Sequence, residues 1–267
     1  MSVRNPNAAT WRRPLLAVGV SVLGLLLGGV LSIAAGFAIR ALLGGLPILT
    51  IVVLSLVLTQ GIAFGGVALL YLRYRGLDTG FVPVRTPSVS DLGWIVGGYV
   101  LAFAAVGVGV AIVISLGLQP ASNQIGEVGA QDPTVLLALV PLSFLLIGPG
   151  EELLFRGVVQ GTFREVLRPV PAIVLASAVF AAVHFVALTG TAQGRLVTIA
   201  VLFLPSLVFG TAYERTNNLV VPAVIHGAYN ATLFSMAYFA FQMGSPPPGV
   251  IASRFGAVVD QLLVGFA

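Results

Sequence analysis

Apolar residues run along this chain in blocks far longer than a water-soluble helix or strand would need. Uncharged or nearly uncharged stretches occur at Leu15 to Ile39, Leu46 to Leu72, Leu92 to Leu118, Val135 to Gly150 and onward, Val170 to Leu188, Leu196 to Tyr213 and Leu219 to Met243. A helix of about 20 apolar residues crosses a bilayer core, so each block predicts one span and the set predicts seven. The two polar connections, Arg73 to Asp91 and Gln119 to Asp132, are too short to fold alone. After Pro246-Pro247-Pro248 the tail carries Arg254 and Asp260, which makes it a weak eighth span or an interfacial helix. The predicted fold is all-α: a polytopic transmembrane helix bundle of seven to eight spans, with residues 1–267 forming one integral-membrane domain.

Composition agrees with that pattern and excludes other classes. Charged residues are 8% of the chain, against roughly 25% in ordinary soluble domains, so a water-soluble globule is ruled out. A hydrophobic content of 58% and a mean hydropathy of +1.04 suit a surface that faces lipid. Cysteine is absent, which removes disulfides, thiolate metal sites and cysteine nucleophiles together. The isoelectric point of about 10.0 does not mark a nucleic-acid binder, because the 13 cations are all arginine and lie scattered in ones and twos.

The arginines read instead as an orientation signal. With the N-terminus in the cytoplasm, Arg4, Arg12, Arg13, Arg73, Arg75, Arg85, Arg156, Arg164, Arg168 and Arg215 fall inside, and only Arg40, Arg195 and Arg254 fall outside. That asymmetry predicts an N-in, multi-pass protein of the cell membrane. The first apolar block follows a basic segment, as in a signal peptide, but it greatly exceeds the roughly 7–15 residues of such a region and is read as a retained span. The pairs Gly24/Gly28, Gly61/Gly65, Gly93/Gly97 and Gly157/Gly161 have the spacing that lets membrane helices approach closely.

Ionisable groups at membrane depth cost a few kcal/mol or more, so each is a functional candidate until a partner explains it. Glu151, Glu152, Arg156, His184 and His226 qualify, with Asn230 four residues after His226. The two histidines are the only ones in the chain. Glu152 and Arg156 are spaced to pair on one helical face, whereas Glu151 is rotated about 100° away and lacks an i+4 partner. Either the pair is a structural ion pair with Glu151 at the membrane surface, or it braces Glu151 as a working carboxylate.

Depth favours the second reading. Arg168-Pro169-Val170-Pro171 must break the helix, because proline lacks an amide donor and disfavours helix in its predecessor. Glu151 lies about 26 Å before that break along a helix and His184 about 20 Å after it, so in an antiparallel hairpin they reach similar depth. The fourth helix then continues past Arg156 to about Leu167, and Pro149 either kinks it or starts a second half-helix. Beyond the turn at Glu214 to Asn218, His226 and Asn230 lie about 12 Å and 18 Å into the next helix, on one face. The motif-bearing core spans about residues 134–243.

A carboxylate, two imidazoles and an amide suit peptide hydrolysis, which needs a base for water, an acid for the leaving amine and donors for the oxyanion. Serine chemistry is disfavoured, since no serine sits in a G-x-S-x-G elbow and no lysine exists to activate one. Glu151, His184 and His226 also form a set of the type that binds catalytic zinc, although the H-E-x-x-H helix is absent. Residue type alone leaves metal-bound and metal-free mechanisms both open.

Glu151-Glu152-x-x-x-Arg156, Phe180-x-x-x-His184 and His226-x-x-x-Asn230 resemble the three motifs of the CPBP intramembrane protease family. That family includes the CAAX prenyl endopeptidases and bacteriocin-processing or immunity proteins. The resemblance covers about Pro149 to Phe241. It implies that Glu151 and His184 activate the water, that His226 and Asn230 stabilise the transition state, and that Arg156 steadies Glu152. It also implies membrane lipid as surroundings and a peptide or protein substrate, CAAX-like and lipidated in some members, at the cytoplasmic face. The cofactor is a divalent metal such as zinc, or none.

Two other functions fit parts of this pattern. A proton-coupled transporter would use Glu151 and His184 as a relay, but the first three spans are almost free of ionisable residues. A non-catalytic immunity or scaffold protein would keep the motifs for packing.

Overall fold

A computed structural model of the protein describes residues 8–243, and within them the chain folds into eight principal helices. They are α1 (Ala8–Leu43), α2 (Ile48–Arg75), α3 (Val89–Ser115), α4 (Gln124–Gln131), α5 (Thr134–Arg164), α6 (Pro169–Ala187), α7 (Ala192–Thr216) and α8 (Val220–Gln242). The all-α bundle expected from the hydropathy pattern is the observed fold. Six helices are long and apolar enough to cross a membrane by length and composition: α1 from Trp11 onward, α2, α3, α5, α6 and α7. The seventh expected span is α8, a 23-residue helix whose His226, Tyr229, Asn230 and Thr232 dilute its apolar character. The tail expected as an eighth span or interfacial helix lies outside the described residues.

Large apolar side chains such as Leu26, Phe37, Val96 and Leu145 are exposed on the outside of the bundle. Polar and charged groups, including Glu151, Glu152, Arg156 and His226, are buried inside. This inversion of a soluble protein is what a lipid solvent demands.

Short connections fix which ends meet. Ser88 and Asp91 cap α3 reciprocally, and Asn217 in the left-handed region (φ 45°) closes α7. Arg85 pairs with Asp91 at 2.6 Å and donates to Thr216 O at 2.8 Å, while Leu219 N donates to Pro83 O. These bonds stitch the α2–α3 loop to the α7–α8 turn. At the opposite end a two-residue antiparallel bridge, Ser122↔Thr189 and Asn123↔Leu188, ties the segment before α4 to the one after α6.

Helix α5 runs unbroken through the charged segment to Arg164, as expected. Pro149 neither starts a new helix nor breaks this one. The helix widens into π-turns at Ser143–Ile147 and Leu153–Gln160, on either side of the α-helical turn that contains Pro149. Such wide turns accommodate a missing amide donor and recur at functional sites.

Of the glycine pairs, only Gly24/Gly28 brings two helices together: a Cβ on Gly28 would sit 3.1 Å from Thr59 Cα on α2. Gly157 and Gly161 accept Val82 and Phe81 from a loop, and a Cβ on Gly61, Gly93 or Gly97 would meet nothing within 4 Å. The closest backbone approach falls elsewhere. A Cβ on Gly148 would lie 2.5 Å from Ala223 O, and one on Gly227 3.0 Å from Ser143 O. Helices α5 and α8 therefore touch main chain to main chain just beside Glu151 and His226.

Candidate active site

That contact sets the geometry of the charged cluster. Glu152 and Arg156 share a face of α5 and form a fully buried ion pair, Nε to Oε2 3.1 Å, at an angle outside hydrogen-bond geometry. The guanidinium is held further by Ser206 Oγ on α7 at 3.2 Å and lies over the Phe180 ring at 4.8 Å. A charge removed from both water and lipid needs such compensation on every side.

The second oxygen of Glu152 reaches across to α8 and accepts from His226 Nδ1 at 2.9 Å. The carboxylate thus orients the imidazole and leaves Nε2 facing the cavity. Asn230 Nδ2 lies 3.2 Å from that Nε2, and Glu151 Oε2 lies 3.9 Å from it. Phe209 stacks on the His226 ring at 4.8 Å and 18°, with the Phe180 edge against another side. The ring is clamped in one orientation.

Glu151 is the carboxylate that lines a cavity. Gln60 Nε2, from the π-wound stretch of α2, donates to Glu151 Oε1 at 2.8 Å, while Glu151 Oε2 has no hydrogen-bond partner in the protein. Both side chains line a cavity of about 240 Å³ together with His184, His226, Asn230 and Tyr229. His184 sits where α6 narrows into its final 3₁₀ turn. Its Nδ1 lies 2.8 Å from the Phe180 carbonyl, which can only accept, so Nδ1 is the donor.

The structure thus brings five of the six expected site residues into one bonded or near-bonded chain, and the sixth, His184, onto the wall of the same cavity. One expectation changes. Glu151 has His226 and Gln60 as its near neighbours, and His184 bonds to the backbone instead. Among the described residues no group of three or more His, Asp or Glu is placed to hold a metal as the side chains stand. In both histidines Nδ1 is engaged, by Glu152 and by the Phe180 carbonyl, and Nε2 is the remaining ring nitrogen.

Three contributors escaped the sequence reading, which looked for ionisable groups. Gln60 carries no charge, yet it is the only amide in the block from Leu46 to Leu72, and that was its signal. Tyr229 places a buried hydroxyl without a protein partner beside His226. Ser206 gives α7 a part in a site expected from three helices.

The order of these residues on α5, α6 and α8 can be set against known families. Residues 133–232 match the Rce1-like family, type II CAAX prenyl endopeptidase. No curated protein and no solved structure matches the chain. The Rce1-like segment contains Glu151, Glu152, Arg156, His184, His226 and Asn230, and agrees with a CPBP-type intramembrane protease. With the long apolar helices it supports a membrane protein and a CAAX-type intramembrane endopeptidase in general terms. Gln60 lies outside the Rce1-like segment, so its contact with Glu151 is a finding of this chain's own geometry.

The cavity has a direction. Its buried lining residues Gln60, Glu151 and His226 form a floor, and its half-buried ones at the end held by the β bridge, Asn123, Ile125 and Ala187, form a rim. Below the floor, Leu154, Phe155, Val158, Val159 and Phe163 are packed with Tyr71 and Tyr213 into a closed core.

Proposed function

We propose that the protein hydrolyses a peptide bond of a membrane-associated polypeptide, using water activated by Glu151. The observation that carries this reading is a buried carboxylate on the wall of a cavity shared with His226 and Asn230, with one oxygen fixed by Gln60 and the other without a hydrogen-bond partner. Glu151 takes the proton from water as the oxygen attacks the carbonyl carbon. His226 Nε2, when protonated, and the Asn230 amide are the donors beside the developing oxyanion. His184 Nε2 lines the same space and serves with Glu151 in moving the proton to the leaving amine. Glu152, anchored by Arg156, holds His226 in place. The steps as written run on protein groups and water alone. The closed core beneath the site weighs against a transport path through it.

The test is hydrolysis in ¹⁸O-labelled water by the full-length protein in liposomes containing membrane-tethered peptides. One ¹⁸O is expected in each new carboxylate; intact peptides, together with proton-driven solute flux, would replace this reading with a carrier.

Gln60→Leu tests the orientation of the base. Loss of one hydrogen bond to a charged group is expected to lower kcat by about tenfold or more. KM and the melting temperature should stay near the parent values, because the lost contact acts on the transition state. A change confined to KM would show that Gln60 binds substrate instead.

A further inference from the structure

The two ends of the bundle differ in charge and in access to the site. Arg73, Arg75, Arg85, Arg164, Arg168 and Arg215 lie at the end where the α2–α3 loop meets the α7–α8 turn. Arg13 belongs with them, since it pairs with Glu165 at 3.4 Å. The opposite end carries Arg40 and Arg195. Arg156, which the sequence groups with the inside arginines, is fully buried in the site and contributes nothing to either surface.

From Glu151 to the arginine-rich end is about 20 Å of helix, through the packed core of Leu154, Phe155, Val158, Val159 and Phe163. Gln160 and Thr162 in this stretch are also fully buried. On the other side of Glu151 the space is open: His184 and Leu202 line the cavity above the floor, and Asn123, Ile125 and Ala187 form its rim. The rim therefore sits at the arginine-poor end.

Arginine-rich ends stay in the cytoplasm. We infer that the site is entered from the face opposite the cytoplasm, so its substrate is a segment of an exported, membrane-tethered polypeptide and not a tail displayed in the cytosol. The substrate class rests on the proposed hydrolysis, whereas the direction of access does not. The orientation and the cavity's asymmetry together require it.

The chain contains no cysteine, so single cysteines report position without background. Full-length Ala187→Cys, Leu202→Cys and Val84→Cys are expressed in the plasma membrane of a bacterial host and treated with membrane-impermeant thiol reagents. Ala187 marks the rim, Leu202 the cavity wall and Val84 the exposed loop at the arginine-rich end. In intact cells a maleimide is expected to label Ala187→Cys, and a small charged thiosulfonate to reach Leu202→Cys. Val84→Cys should label only after permeabilisation. Labelling of Val84→Cys in intact cells, or of Leu202→Cys only after permeabilisation, overturns the inference.

The unsubstituted protein is then given one tethered reporter peptide displayed on either face. Cleavage of the outer reporter alone supports the proposal, and cleavage of the inner reporter overturns it. If neither is cleaved while the cysteines label as expected, access stands and the hydrolytic reading, with its substrate class, fails.

Discussion

Glu151→Gln is expected to cut peptide hydrolysis by about 10²–10⁴-fold, the usual contribution of a positioned general base. The substitution keeps the size of the side chain and keeps an oxygen for Gln60 Nε2, which now sits 2.8 Å from Glu151 Oε1. It removes the one thing an amide cannot do, which is to accept a proton from water. The floor of the cavity should otherwise persist, because the main-chain contact at Gly148 and Ala223 does not involve Glu151. The expected signature is lost kcat with an unchanged melting temperature. Turnover within about threefold of the parent would remove Glu151 from the chemistry.

The second large effect is on stability. Arg156 is fully buried, and Glu152 is its only close carboxylate partner. Glu152→Ala removes the carboxylate in contact with that guanidinium and leaves only the more distant Glu151, and removing one partner of a buried pair costs about 3–5 kcal/mol. Reversible unfolding in mixed micelles should register the loss. Replacing both members, Glu152→Leu with Arg156→Met, should recover much of the stability, since well-packed apolar groups often match a buried pair. The double variant should nevertheless stay inactive, because His226 Nδ1 has lost the oxygen that accepts from it at 2.9 Å. Restored stability with restored activity would reduce Glu152 to a packing role.

Those two variants show where sequence was informative. The seven apolar blocks place the helices within a few residues of their observed bounds, because a lipid solvent selects for length and hydropathy and both are one-dimensional quantities. The candidate residues were legible for the complementary reason, as charges are rare where they cost most. What the sequence misjudged was azimuth. Regular helical rotation sets Glu151 about 100° from Glu152, yet both approach His226, at 3.9 Å and 2.9 Å. The two glutamates meet opposite nitrogens of one ring, Glu152 at Nδ1 and Glu151 near Nε2, so counting residues gives depth but not partner. The same limit explains His184, correctly placed on the cavity but bonded to its own helix. Gly148 and Gly227 were invisible to a search for glycine pairs, since neither has a second glycine four residues away and each meets a carbonyl of the other helix.

The Gly148–Gly227 contact has a consequence for how such a site can diversify. With α5 and α8 at main-chain distance, the spacing of Glu151 and His226 is dictated by two peptide backbones and not by adjustable side chains. Any larger residue at either glycine is a wedge that drives the carboxylate and the imidazole apart. The rim at Asn123, Ile125 and Ala187 is under no such restriction, being built from short segments joined by a two-residue bridge. Selection acting on this scaffold has a fixed anvil and a replaceable mouthpiece: new substrates are gained by changing the rim, while the floor tolerates no revision.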